Sequence, residues 1–302
     1  MPVRVPAGLP AIEALGDENI RLIEAGEARP AGARPIRLAV LNLMPLKKMT
    51  ELDLLRMLSN TPLEIDLDLV TVDGHLSRNT PPEHIEAFYK RFSAIRDRDY
   101  DGLIITGAPL EKIDFEDVDY WDELGGIFTW ARSRVRSTLY VCWAAMAGLY
   151  YHYGVPKHVF EPKISGVFKH RVLDSKNPIL RGFDDEFYVP QSRFSEVRRA
   201  DIERHEELEI ISESDESGVY IVMGRGGREF YITGHSEYSP MTLDFEYRRD
   251  LAKGMNPGVP KNYYEDDDPS KRPVVRWRAH ATLLYTNWLN NFVYHNSPYA
   301  AN

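Results

Sequence analysis

Ile36-Arg37-Leu38-Ala39-Val40-Leu41-Asn42-Leu43 is a nearly unbroken apolar run that stops at Pro45, the mark of a strand covered on both faces. Thr50, Glu51 and Asp53 then resemble a helix start, and Leu54, Leu55, Met57 and Leu58 continue an apolar helical face. The alternation repeats: a strand over 64–72, a helix over 82–95, a strand over 103–106 ending in Gly107, a helix over 118–135, a strand over 138–141 and a helix over 143–153. This β-α-β-α order predicts an α/β fold with a mainly parallel sheet flanked by helices, and ligands beyond the carboxyl ends of its strands.

From Lys163 onward the pattern changes to short strand-like segments at 168–173, 187–189, 208–212, 219–223 and 230–233, separated by turns such as Gly218 and Gly226-Gly227. They predict additional antiparallel strands in the second half. Helices are expected over 241–253 and 274–295, with an exposed loop over 254–273 between them. The first stretch, 1–35, carries Pro2, Pro6, Pro10, Pro30 and Pro35 around a helix-like piece at 11–24 and reads as an N-terminal arm, leaving 36–302 as a single α/β domain.

Composition narrows the function classes. With 302 residues, 43% of them hydrophobic, the chain is long enough for a substantial core. Its net charge of −9 offers nucleic acid no general attraction. No stretch reads as a signal peptide or a bilayer span, so a cytoplasmic protein without membrane partners is expected. One cysteine excludes an intramolecular disulfide.

That cysteine, Cys142, closes the apolar strand Leu139-Tyr140-Val141 and is followed at once by the helix-like Trp143-Ala144-Ala145-Met146. A strand-to-helix elbow lifts the side chain out at the sheet edge and aims a helix N-terminus at it, which favours thiolate. It also lets the backbone N–H of Trp143 face a developing oxyanion. Position alone serves a buried hydrophobe equally well. A second feature tilts the balance: Phe230 to Thr233 is a strand that runs into Gly234-His235-Ser236-Glu237. In extended chain residues i and i+2 face the same way, so Glu237 can orient the imidazole of His235 that takes the thiol proton. Of the nine histidines, His75, His84, His152, His158, His205, His280 and His295 read as packing or surface residues, and His170 is less easily assigned. None is spaced for a metal, so no metal site is expected.

Tyr140-Val141-Cys142-Trp143-Ala144-Ala145, Gly234-His235-Ser236-Glu237-Tyr238 and Val40-Leu41-Asn42-Leu43-Met44-Pro45 resemble signature segments of the MetA homoserine O-acyltransferases, and the likeness runs through the chain. The resemblance implies a class I glutamine amidotransferase-like fold and a ping-pong reaction. An acyl-CoA acylates Cys142, and the hydroxyl of L-homoserine then attacks the thioester, with His235 as base and Glu237 as its orienter. It implies Lys163, Ser192 and Arg249 as substrate-binding residues, no bound cofactor beyond the acyl-CoA co-substrate, a homodimer and a place in methionine biosynthesis. Lys47 and Lys48, after the first strand, are weaker candidates for reaching the site.

The resemblance also makes Glu111, in Gly107-Ala108-Pro109-Leu110-Glu111-Lys112, the selector of acyl donor: glutamate goes with acetyl-CoA and glycine with succinyl-CoA. The physical reason is space and charge, since two like charges about 4 Å apart repel by roughly 4 kcal/mol at an effective dielectric near 20. An acetyltransferase using acetyl-CoA is therefore expected. The alternatives are a succinyltransferase, a Cys-dependent amidase or hydrolase on the same fold, and a non-catalytic binding protein.

Overall fold

The computed structural model describes residues 3–28, 35–75 and 79–294. Its strands are β1 (Val3–Val5), β2 (Ile23–Glu24), β3 (Ile36–Leu41), β4 (Ile65–Thr71), β5 (Tyr89–Arg91) and β6 (Tyr100–Ile105), then β7 (Val135–Val141), β8 (His158–Val172), β9 (Glu186–Glu196), β10 (Leu208–Ser214), β11 (Gly218–Gly224) and β12 (Glu229–Ile232). All join one sheet in the order 2-1-4-3-6-7-12-11-10-8-9, with β5 also paired to β4. From β2 to β12 the neighbours are parallel, and from β12 to β9 they are antiparallel. The expected parallel core with antiparallel additions is what forms.

The helices are α1 (Ala11–Gly16), α2 (Lys47–Leu58), α3 (Pro82–Phe88), α4 (Trp121–Arg134), α5 (Trp143–Tyr153), α6 (Arg199–Ile202), α7 (Thr242–Ala252) and α8 (Arg278–Trp288). Leu38 and Val40 of β3 pack into one core with Leu54 and Leu55 of α2 and Leu284 of α8. Ala39 and Leu41 of the same strand pack into the other, with Ile127 of α4 and Leu149 of α5. Alternate residues thus feed opposite layers, which is why the run is apolar throughout.

Long-range pairing moves several expected boundaries. The helix expected over 82–95 ends at Phe88, because the following residues pair with β4 as β5 and Tyr89 donates its hydroxyl to Glu51 Oε1 at 2.6 Å. The helix-like piece at 11–24 covers only α1, and Ile23–Glu24 pairs with β1, which itself lies against β4. The last helix widens into a π-helical turn over Leu289–Tyr294, where Phe292 packs edge-on against Phe230. His295 lies outside the described residues.

The stretch 254–273 is not simply exposed. Tyr263 and Tyr264 are buried, the Tyr263 hydroxyl accepts from Asp244 N at 3.1 Å, and Val167 N donates to Lys261 O at 2.8 Å. Aromatic burial ties this segment to α7 and β8.

Candidate active site

Between β7 and α5 the chain reverses within one residue. Cys142 takes φ 53° and ψ −115°, a region costing on the order of 1–3 kcal/mol for a residue with a Cβ. The surroundings hold it there: Cys142 N donates to Ile232 O at 2.6 Å, and Cys142 O accepts from Ala145 N at 3.0 Å. Gly107, at the end of β6, makes room. A Cβ there would stand 3.2 Å from Cys142 Cβ and 3.5 Å from Trp143 N. The Trp143 amide begins α5 at the positive end of its dipole, beside the space this glycine leaves.

The next strand end supplies the imidazole. Gly234 passes so close to β9 that a Cβ would meet Gln191 Nε2 at 2.7 Å and Val189 Cγ1 at 2.8 Å, and His235 N donates to Pro190 O at 2.9 Å. Glu237 Oε1 accepts from His235 Nδ1 at 2.7 Å, the charge of Cys142 acts on the same ring, and the Tyr238 ring stacks on it at 4.2 Å between centroids. Burial alone would lower the pKa of His235. The negative charges of Cys142 and Glu237, with the Glu237 hydrogen bond, override that and hold the imidazole well above its ordinary range. The geometry favours a protonated imidazole at His235, held between Cys142 and Glu237.

Cys142 and His235 open into a cavity of about 320 Å³ that Glu111, Lys163, Ser192 and Arg249 also line. Glu237 stands behind His235. Ser192 Oγ donates to Glu246 Oε2, Lys163 Nζ lies 3.3 Å from the same oxygen, and Arg249 Nη2 lies 2.8 Å from Asp250 Oδ1. Burial raises the pKa of Glu111, opposed by the positive charges of Lys163 and His235. Its neighbour Lys112 turns away to Glu161. Cys142, His235, Glu111, Lys163, Ser192 and Arg249 therefore meet at this cavity, with Glu237 directly behind.

Lys47 and Lys48 are the exceptions. Lys47 is 4% exposed and donates its Nζ to Asn42 O, with burial lowering its pKa to about 8, while Lys48 points to solvent. Neither lines the cavity that holds Cys142. His170 is a core histidine: its Nδ1 donates to Phe168 O at 2.9 Å, and burial lowers its pKa to about 3.

Glu246, Tyr238, Gly107 and Asp53 line this cavity without having been singled out as site residues. Glu246 had a readable signal, lying three residues before Arg249 on one helix face. Asp53 had none: the acidic residues read as a helix start are instead buried in the second turn of α2, which begins at Lys47.

A family model described as homoserine O-succinyltransferase matches residues 2–299. The chain belongs to this family. Among relatives, it is 58% identical over 299 residues to a protein from Bacteroides fragilis strain YCH46 named homoserine O-acetyltransferase, covering 99% of this chain and 98% of that one. A protein of the same name from Acetivibrio thermocellus is 51% identical over 302 residues, covering 100% and 99%. In fold, this member of the homoserine O-succinyltransferase family is similar to a glutamine amidotransferase from Thermotoga maritima, at TM-score 0.58 and 12% identity over 87% of this chain and 100% of that one. A glutamine amidotransferase from Methylobacillus flagellatus aligns at TM-score 0.51 and 12% identity, covering 85% and 95%. The class I amidotransferase-like fold implied by the sequence is thus the family's fold here.

Proposed function

We propose that the protein is a homoserine O-acetyltransferase, moving the acetyl group of acetyl-CoA to the hydroxyl of L-homoserine through a thioester on Cys142. The observation that carries this reading is the Cys142, His235 and Glu237 set, opening into a cavity lined by Glu111, Lys163, Ser192 and Arg249. The Cys142 thiolate attacks the acetyl carbonyl, the C–S bond to CoA breaks, and CoA leaves as its thiol with the proton of the His235 imidazolium. Neutral His235 then takes the homoserine hydroxyl proton as that oxygen attacks the thioester, and the Cys142 thiolate leaves beside the renewed imidazolium. Glu237 holds the ring, and the Trp143 N–H faces the oxyanion of both intermediates. Arg249 receives the carboxylate of homoserine with two donors, while Lys163 and Ser192 fix Glu246 along the same wall.

The family is named for succinyl transfer, whereas relatives at 50% to 58% identity are named for acetyl transfer. Glu111 in the cavity wall supports acetyl, since its carboxylate occupies space and repels a second carboxylate. The family likeness further implies a cytoplasmic homodimer in methionine biosynthesis.

Mass spectrometry after mixing with acetyl-CoA tests the scheme. An acetyl adduct on Cys142 that disappears when homoserine is added is expected, and Cys142→Ser should lose nearly all transfer. Retention of more than about a tenth of the activity in that variant would sink the covalent route. Ammonia release from glutamine without CoA would favour the amidase instead.

A further inference from the structure

Deep in the same cavity is a carboxylate that this scheme does not use. Asp53, in the second turn of α2, is 6% exposed and lines the cavity with Cys142, His235 and Arg249. Its cationic contact is Arg56, which donates from Nη1 to Asp53 Oδ1 at 3.0 Å. That guanidinium is already gripped by Glu18, which accepts from Nε at 2.7 Å and from Nη2 at 2.8 Å. Arg56 is thus shared between two carboxylates, and Asp53 holds it by one contact where Glu18 holds it by two.

The acids that α7 brings to the cavity are better matched. Glu246 faces Lys163 at 3.3 Å, and Asp250 faces Arg249 at 2.8 Å. The groups that act on Asp53 from other elements are Glu237 and His235 beyond β12, and the buried Tyr285 of α8 faces both Asp53 and Glu237. Arg278 of α8 acts on Glu18 at the far end of the relay. Burial outweighs Arg56 and pushes the Asp53 carboxyl up to about 7, and Glu237 adds to the rise. A buried acid in this condition gains by meeting a cation, because pairing offsets the cost of charging it away from water.

We propose that Asp53 receives the ammonium group of the amino-acid acceptor. The inference rests on the acyl-transfer reading of the cavity, in which the acceptor brings one carboxylate, one ammonium and one hydroxyl. Arg249 takes the first, His235 and Cys142 work on the last, and Asp53 supplies the anion that the ammonium needs once it leaves water. A site built this way rejects a hydroxy acid that lacks the amino group, since Asp53 then lacks the second cation that offsets charging it away from water.

The test compares L-homoserine with 4-hydroxybutyrate, the same skeleton without the ammonium, as acceptors for the full-length protein with acetyl-CoA as donor. Asp53→Asn should lower kcat/KM for homoserine by roughly tenfold to a hundredfold, mainly through KM, and barely change 4-hydroxybutyrate. Acylation of Cys142 by acetyl-CoA alone should stay within about twofold of native. The ratio of the two kcat/KM values removes the common demand for a neutral His235, so in the native protein it should rise as pH passes about 7 and in Asp53→Asn it should be flat. Arg56→Gln is the second variant: losing the cation should move the rise in the ratio to higher pH. An unchanged ratio in Asp53→Asn, or equal loss with both acceptors, overturns the assignment of Asp53 while acylation remains intact. No acylation of the native protein would instead overturn the acyl-transfer reading, and this inference with it.

Discussion

Glu111 and Lys112 are adjacent in sequence and part company in space. Glu111 lines the Cys142 cavity, whereas Lys112 pairs with Glu161 and lies 4.0 Å from the centre of the Phe194 ring. The lysine therefore leaves the glutamate's charge to act on whatever acyl group enters. Native protein should prefer acetyl-CoA over succinyl-CoA by about a thousandfold, the factor equivalent to roughly 4 kcal/mol of like-charge repulsion. Glu111→Gly should gain succinyl transfer, measured as kcat/KM with each donor. A native preference for succinyl-CoA, or no gain in the variant, would remove Glu111 as selector. Lys47 shows the opposite turn: a lysine beside the first strand end looks available on paper, yet it is buried on the Asn42 carbonyl.

Among the elements, the strand ends decide the chemistry, and two glycines separate tight places from open ones. Gly234 precedes His235 and is pressed against the buried Val189 and Gln191 side chains of β9, so Gly234→Ala must displace either those side chains or the backbone that carries the imidazole. A displacement of about 1 Å can cost a hundredfold in rate, and a loss of at least tenfold in acetyl transfer is expected from a protein that still folds. Gly126, in α4, has nothing within 4 Å of where its Cβ would stand. Gly126→Ala should keep full activity and raise unfolding free energy by about 0.5–1 kcal/mol, read from urea denaturation, because alanine loses less backbone freedom in a helix. Equal behaviour of the two variants would contradict this account of the His235 segment. The expected 143–153 helix matches α5 because its cause is local: an apolar run begins at the elbow, and Gly154 ends it in the left-handed region.

Over the whole molecule, the Glu18, Arg56 and Asp53 relay links the segment after α1 to the cavity wall and places a buried acid where it weakens the fold. A carboxyl raised from 3.8 to about 7 holds its proton more tightly when folded than when unfolded. Stability contributed by this group is therefore intact below about pH 4 and falls as pH rises toward 7. Asp53→Asn should raise the melting midpoint at pH 8 by at least about 3 °C and leave it unchanged near pH 4; a gain of equal size at both would mean the carboxyl does not titrate as inferred. The same molecule-wide contacts explain what could be read in advance. The strand and helix alternation, the Cys142 elbow and the His235 and Glu237 pair all follow from residues within a few positions of one another. Apolar spacing and the two-residue repeat of extended chain act at that range. Asp53 beside His235, Glu246 under Ser192, Lys112 against Glu161 and the burial of Tyr263 each join segments about 50 residues or more apart, or turn on the packing of a distant element. Only the tertiary structure decided those, because the direction of a charged side chain is set by which distant groups and solvent it can reach, and no local pattern encodes them.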